Sequence, residues 1–269
     1  WVHAGTQDYY LDPAASTYPF GVLPWYETNT RGIRCSKTGG EIVTVPPSPP
    51  AQATTVRTAE LEIDSDGEAT GKLRVEFTGP LAAERREEHR QADEAGRRKS
   101  LGEEVQGWLP AGSSFEVTTL TNWDDKEVPL VVEGTAKVPN FGTAAGRRML
   151  VPASPFQVRQ ATAFQSEKRL YPIYFKCPSE EIDDVKLSVP TEFKIESVPP
   201  ARQVKPGVVS YEISAAQQGS VVEVKRLLVL DGLAFPVTNY PALRNFFNAV
   251  KTDDDAQIVL QNAQSTKNN

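Results

Sequence analysis

Cysteine, histidine and methionine are scarce in this chain of 269 residues, which holds two Cys, two His and one Met. Two cysteines cannot build a disulfide framework or a cysteine-based metal site. We therefore expect no metal and no cofactor. Cys35 and Cys177 could form a single bridge. They could equally be two buried thiols, because free cysteine often packs as a small hydrophobe.

Long apolar runs and an excess of positive charge are also missing. No run approaches the roughly 18 apolar residues of a membrane-spanning helix, so we expect no membrane span. The net charge of -6 and the pI near 5.2 argue against a nucleic-acid partner, which requires a basic face. What is present is 39% hydrophobic and 24% charged residues, which indicates a globular chain long enough for two cores. The 21 prolines suit a loop-rich β protein.

The first 25 residues carry the densest pattern of aromatic residues and prolines. Residues 1–3 and 9–11 are predicted to be two short strands joined by a tight turn. This register places His3 opposite Asp8. Asp12 is followed by proline, which ends the second strand because proline has no N–H for a ladder. The position opposite Asp12 therefore falls ahead of the first residue.

The run Tyr-Tyr-Leu-Asp-Pro at residues 9–13, followed by Pro-Phe-Gly at 19–21, resembles the end of a transglutaminase-like core. In that family a Cys, a His and an Asp act together in that chain order. The resemblance assigns the aspartate role to Asp12, which would orient the imidazole and stabilise the imidazolium. The alternative is structural, because an aspartate at the end of a strand often does no more than cap a turn.

The other two members of such a triad are not in the expected order. Cys35 and Cys177 both follow Asp12 in the chain. The predicted register places His3 opposite Asp8 and not opposite Asp12. His89 lies in a run of charged residues, which is typical of a solvated helix face. We therefore interpret the chain as the C-terminal part of a larger protein. On this interpretation the chain begins just after the catalytic His. In such a chain no signal peptide would be visible.

Periodicity beyond the N-terminal segment predicts a mainly β fold, with antiparallel β-sandwich-like domains, one long charged helix and a C-terminal helix. Residues 83–100 are mostly charged, with Glu and Arg at helical spacing, and an apolar stripe follows to Trp108. These features predict one long helix, or two with a break at Gly96. Asn239-Tyr240-Pro241 predicts the start of a second helix, with Pro in its first turn.

The stiff run Pro-Pro-Ser-Pro-Pro at residues 46–50 is the clearest boundary in the sequence. We predict that residues 1–45 are the trailing part of the transglutaminase-like core and that 46–53 form a linker. The remaining predicted units are 54–179, a β-rich domain with a helical insertion near 81–109; 180–262, a second β-rich unit with a helix near 239–251; and 263–269, a mobile tail.

The resemblance extends into the second half of the chain. Some bacterial transglutaminase-like proteins carry a β-rich domain of unknown function after the core, usually in secreted or envelope-associated chains. The resemblance therefore implies a periplasmic or extracellular location. Four phrases carry it: Pro-Ile-Tyr-Phe at 172–175, Glu-Ile-Asp-Asp-Val at 181–185, Tyr-Pro-Ala-Leu-Arg-Asn-Phe-Phe at 240–247 and Gln-Ile-Val-Leu at 257–260.

Two classes of function follow. In the first, the chain is a noncatalytic accessory or structural region that contacts the upstream part of the same protein, or another protein, through a β face or edge. In the second, it is part of an active cysteine peptidase or amide transferase whose Cys and His lie upstream. A β-sandwich alone does not decide between them. A gene that encodes a Cys and a His ahead of Trp1 would favour the second.

Overall fold

The alternating segments of the sequence form strands in the computed structural model of this chain, which describes residues 1–263 and is mainly β. The strands are β1 (Val2–Ala4), β2 (Gln7–Tyr9), β3 (Arg31–Ser36), β4 (Gly39–Thr44), β5 (Thr54–Ile63), β6 (Ala69–Phe77), β7 (Ser114–Thr121), β8 (Leu130–Val138), β9 (Thr143–Ala145), β10 (Arg148–Pro152), β11 (Ile173–Tyr174), β12 (Ser179–Ser188), β13 (Phe193–Ser197), β14 (Arg202–Val204), β15 (Val209–Gln218), β16 (Val221–Leu230), β17 (Ala234–Phe235) and β18 (Gln257–Asn262). The helices are α1 (Gly79–Glu88), α2 (Glu94–Trp108) and α3 (Tyr240–Asp254).

Eight strands form the main sheet, in the order β14-β15-β16-β12-β5-β6-β8-β7. All neighbours in it are antiparallel except β5 and β12, which pair in parallel with Thr54 opposite Glu180. The sequence predicted a boundary between two β-rich units at residues 179 and 180. In the structure β12 begins at that point and hydrogen-bonds directly to β5, so strands of both predicted units share one sheet, and the division of the chain into units stays a prediction. Strand alternation predicts the faces of a strand but not its distant partner.

One face of the main sheet carries the core. Residues such as Leu61, Leu73 and Leu187 alternate with more exposed neighbours and are almost fully buried. The helices and a four-stranded antiparallel sheet, β13-β18-β10-β9, contribute to the same apolar cluster through residues such as Leu101 and Leu260. A single core therefore joins segments from both predicted units.

The charged segment near residues 81–109 forms two helices, α1 and α2, rather than one long helix. The break lies at His89–Asp93, not at Gly96, because the Asp93 carboxylate accepts a hydrogen bond from the Gly96 N–H at 2.8 Å and so caps the start of α2. The C-terminal helix is confirmed. It begins at Tyr240, with Pro241 in its first turn, and it runs three residues beyond the predicted end.

The N-terminal register is confirmed, because β1 and β2 pair with His3 opposite Asp8 and Val2 opposite Tyr9. Cys35 and Cys177 are free thiols, the first exposed and the second buried. No helix of residues 1–263 is long and apolar enough to cross a membrane. The predicted mobile tail, from residue 264 onward, lies outside the described residues.

Candidate functional site

Asp12 stands just after the β1–β2 hairpin and holds a tight turn. Its Oδ1 accepts a hydrogen bond from the Ala14 N–H at 2.9 Å, and its carbonyl accepts the Ala15 N–H at 3.2 Å. This is the local bonding of an Asx turn. The geometry matches the turn-capping alternative for Asp12, and its catalytic role stays a prediction.

A second carboxylate lies close to Asp12. Partial burial raises the pKa of Glu27, and the negative charge of Asp12 together with a hydrogen bond between the two carboxyl groups raises it further. No Arg or Lys among residues 1–263 forms an ion pair with Asp12. The pair therefore shares a local excess of negative charge, which an incoming cationic group would relieve.

His3 is paired with Asp8 on the hairpin. Its Nδ1 lies 2.7 Å from Asp8 Oδ1, and the Arg34 guanidinium lies 3.5 Å from the other oxygen of that carboxylate. The hydrogen bond from His3 is the main cause that lowers the pKa of Asp8. His3, Asp8 and Cys35 line one shallow surface cleft. Within the described residues no hydrogen bond joins the Cys35 thiol to His3.

Cys177 is a poor candidate nucleophile. Burial is the main cause that raises the pKa of its thiol to about 11, and the nearby carboxylate of Glu84 adds to the effect. At pH 7 only about one molecule in ten thousand would carry the thiolate that a nucleophile requires. Cys177 therefore does not stand in the environment of an activated nucleophile.

The strongest concentration of buried charge lies elsewhere, on the core face of the main sheet. It consists of four buried side chains and the partly exposed Glu181, called the ionic cluster below: Arg57 on β5, Glu181 and Asp183 on β12, Arg226 on β16 and Asp254 at the end of α3.

Short bonds connect the members of the ionic cluster. Arg57 donates from Nε to Asp183 at 2.6 Å and from Nη2 to Glu181 Oε2 at 2.9 Å. Arg226 donates two hydrogen bonds to Asp254, from Nε to Oδ1 at 2.7 Å and from Nη2 to Oδ2 at 3.0 Å. Nη1 of Arg226 also reaches Glu181 Oε2 at 3.3 Å. The pairing compensates part of the large cost of placing charges in a core.

Protonation equilibria reflect this pairing. Burial alone would lower the pKa of Arg226, but Asp254 and Asp183 raise it above its usual range. Burial raises the pKa of Glu181, yet the guanidinium groups of Arg57 and Arg226 outweigh it and hold that pKa below the usual value. For Asp254, burial outweighs the attraction of Arg226 and the pKa is raised.

The sequence analysis missed the ionic cluster, although a signal was present. Arg57, Asp183 and Arg226 each stand two residues from a buried apolar residue of the same strand, Ala59, Val185 and Val224. Side chains two apart on a strand share a face. A charged residue at the alternating strand positions that face the core is therefore a marker of a buried ion pair.

A known family model matches the part of the chain that holds most of the ionic cluster. Residues 147–260 match a domain of unknown function. The family model is DUF3858, a domain with a solved structure. The match includes all four phrases of the predicted trailing domain. It contains every member of the ionic cluster except Arg57, which comes from β5 outside the matched segment.

A similar solved structure comes from Parabacteroides distasonis and is described as a "putative protease". It shares 8% sequence identity with this chain at a TM-score of 0.42, over 82% of this chain and 29% of the other. The chain thus spans less than a third of that structure's length. No curated protein matches the sequence. Within the described residues no group of His, Cys, Asp and Glu side chains could hold a metal ion.

Proposed function

We propose that this chain is the noncatalytic, β-rich accessory region of a transglutaminase-like protein that uses a Cys, a His and an Asp. The observation that carries the proposal is the register of the β1–β2 hairpin, which pairs His3 with Asp8 and leaves Asp12 without a histidine of this chain. The aromatic and proline pattern through Trp25 supports it. So does the domain match at residues 147–260, which falls on the segment expected to trail the core.

We propose that its partner is the upstream part of the same protein. We also propose that this protein is bacterial and periplasmic or extracellular. The β3–β4 hairpin supports the proposed partner. Ile33 and Ile42 are directly opposite each other in it, and both are 73% exposed. A two-stranded hairpin is marginally stable in water by itself, and an exposed apolar cross-strand pair gains from a covering surface.

An activity assay of the isolated chain tests the noncatalytic role. The chain should neither hydrolyse nor cross-link a glutamine-containing peptide in the presence of a primary amine. Mass spectrometry after incubation with an amide probe should find no adduct on Cys35 or Cys177. A thioester at either cysteine would overturn the proposal, and Cys35→Ser and Cys177→Ser variants would show which thiol had reacted.

The second candidate function is that Asp12 completes the triad of an active parent enzyme, and the motif at residues 9–13 favours it. The test uses a longer protein that includes an upstream Cys and His. Asp12→Asn should remove most activity there while it barely changes stability, because asparagine also caps Asx turns.

Asp64 supplies a matched control for this test. It is an exposed aspartate that, like Asp12, caps a turn, since its Oδ1 accepts the N–H groups of Asp66 and Glu68 at 3.0 and 2.9 Å. Asp64→Asn should leave activity intact. Full activity of the Asp12→Asn protein would remove Asp12 from the mechanism.

A further inference from the structure

A cleft of about 440 Å³ lies over the ionic cluster. Trp108 of α2 and Phe247 of α3 contribute to its walls, and residues 160–163 form part of its rim. Arg57, Gln157 and Glu181 line it as well. The volume falls within the range of small-ligand sites, and a concave mixture of aromatic walls with a few polar groups is typical of them.

Arg57 presents an unused donor to this cleft. Its side chain is only 4% exposed, and its Nε and Nη2 are taken by Asp183 and Glu181. Nη1 has no hydrogen-bond partner among the described residues, and it is not among the polar atoms that the protein seals off from solvent. A guanidinium keeps its protons at all physiological pH values, so Nη1 is free to donate to a ligand in the cleft.

Two acceptors line the same cleft. Glu181 receives Arg57 and Arg226 on the same oxygen, Oε2, which leaves Oε1 without a partner in the described chain; its side chain is 41% exposed. Gln157 donates its Nε2 to Asp183 Oδ2 at 3.1 Å, and its Oε1 accepts no hydrogen bond from the described residues. Asp183 bonds to both Gln157 and Arg57, which keeps these groups close together.

We propose that this cleft binds a primary carboxamide carried by a peptide, as in the side chain of asparagine or glutamine. Such a group offers one carbonyl acceptor for Arg57 Nη1 and two N–H donors for Glu181 and Gln157. The cleft is lined by four basic and four acidic side chains, so its charge favours a neutral group over an anion. This inference stands independently of the proposed function, because it depends only on the groups that line the cleft.

Three blocked peptides separate the carboxamide from related groups. The ligands are acetyl-Gly-Gln-Gly-N-methylamide, the same peptide with Glu in place of Gln, and the same peptide with a dimethylated Gln side chain. Amide chemical shifts of the labelled chain report binding. The Gln peptide should bind about tenfold or more tightly than the other two, because each loses at least one hydrogen bond to a charged or buried group.

Two variants locate the site. Glu181→Gln removes the charged acceptor and should weaken the Gln peptide about tenfold; Glu62→Gln, an exposed change on β5, should not. Ala161→Trp fills the rim of the cleft without changing the ionic cluster and should abolish binding. Ala145→Trp, on the exposed strand β9, should have no effect. Circular dichroism and thermal melting confirm that each variant is folded.

Three results would overturn the proposal. The first is no binding of the Gln peptide to the unmodified chain at millimolar concentration. The second is equal or tighter binding of the Glu peptide, which would mean that the cleft is an anion site. The third is unchanged binding by Ala161→Trp, which would place the peptide elsewhere on the surface.

Discussion

Removal of Asp254 tests how strongly the ionic cluster holds the fold. Asp254→Ala leaves the Arg226 guanidinium, whose side chain is 2% exposed, without its two-pronged acceptor. Tyr211 also loses the acceptor that its hydroxyl reaches at 2.8 Å. Breaking a buried ion pair from one side costs about 3–5 kcal/mol. We expect the lower end, about 3 kcal/mol, because Arg226 keeps weaker contacts with Glu181 at 3.3 Å and Asp183 at 3.7 Å. That is a large share of a typical total stability of about 5–15 kcal/mol.

The Arg148–Glu196 pair on β10 and β13 is the matched control. It also joins a guanidinium and a carboxylate through two bonds, but the Arg148 side chain is 54% exposed. Glu196→Ala should cost only about 0–1 kcal/mol, because water replaces the lost partner. Urea denaturation at pH 7, followed by circular dichroism, gives both free energies of unfolding.

A double variant distinguishes the pair from its single members. Arg226→Met with Asp254→Leu removes both charges and should recover part of the loss seen for Asp254→Ala, because no guanidinium is left buried without its two-bond acceptor while Arg57 still holds Asp183 and Glu181. If Asp254→Ala lost no more stability than Glu196→Ala, the view that burial of Arg226 makes Asp254 essential would be wrong. A double variant as unstable as the sum of its single changes would contradict it equally.

Three further predictions concern other parts of the chain. Gly79 begins α1 with a φ of +50°, and a Cβ there would stand 1.9 Å from the Gln52 carbonyl oxygen, so Gly79→Ala should cost about 2 kcal/mol or more. Gly107→Ala, in open space on α2, should stabilise by about 0.5–1 kcal/mol, and similar urea midpoints for the two variants would refute this contrast. Iodoacetamide should modify exposed Cys35 in the native chain but reach buried Cys177 only after denaturation; equal labelling would contradict the buried position. The pKa of Glu181 is lowered on folding, so its contribution to stability is present above its unfolded value near 4.5 and is lost as the pH falls through the folded value. The stability difference between the wild type and Glu181→Gln should therefore shrink from pH 7 to pH 3, and a constant difference would count against the lowered pKa.

Local features of this fold were predictable from the sequence because local chemistry determines them. The β1–β2 register follows from a short turn, which fixes the partner of His3. The β15–β16 hairpin and the stripe of Leu243, Phe246 and Val250 on α3 follow from strand and helix periods. The break between α1 and α2 was placed at the wrong residue, since a capping aspartate outweighs a glycine in deciding where a helix starts.

The parallel pairing of β5 with β12 was not predictable in this way. More than 120 residues separate the partners Arg57 and Asp183, and alternation along a strand contains no information about which distant strand lies beside it. The ionic cluster depends on this pairing, because its acidic residues come mainly from β12 and α3 and its basic residues from β5 and β16. Strand alternation could have identified Arg57, Asp183 and Arg226 as charged residues on the core face, but not their partners.

The position of Arg57 links these arguments. It is the one member of the ionic cluster that lies outside the segment matched at residues 147–260, yet it donates to both cluster members on β12, Glu181 and Asp183. Without it, Glu181 and Asp183 would face each other in the core with only Arg226 between them, a costly excess of negative charge. The matched segment therefore completes its charge balance with a strand that precedes it by almost a hundred residues. This dependence gives a physical reason why β5 and β12 form one sheet, and it places the cleft where the matched segment meets the rest of the chain.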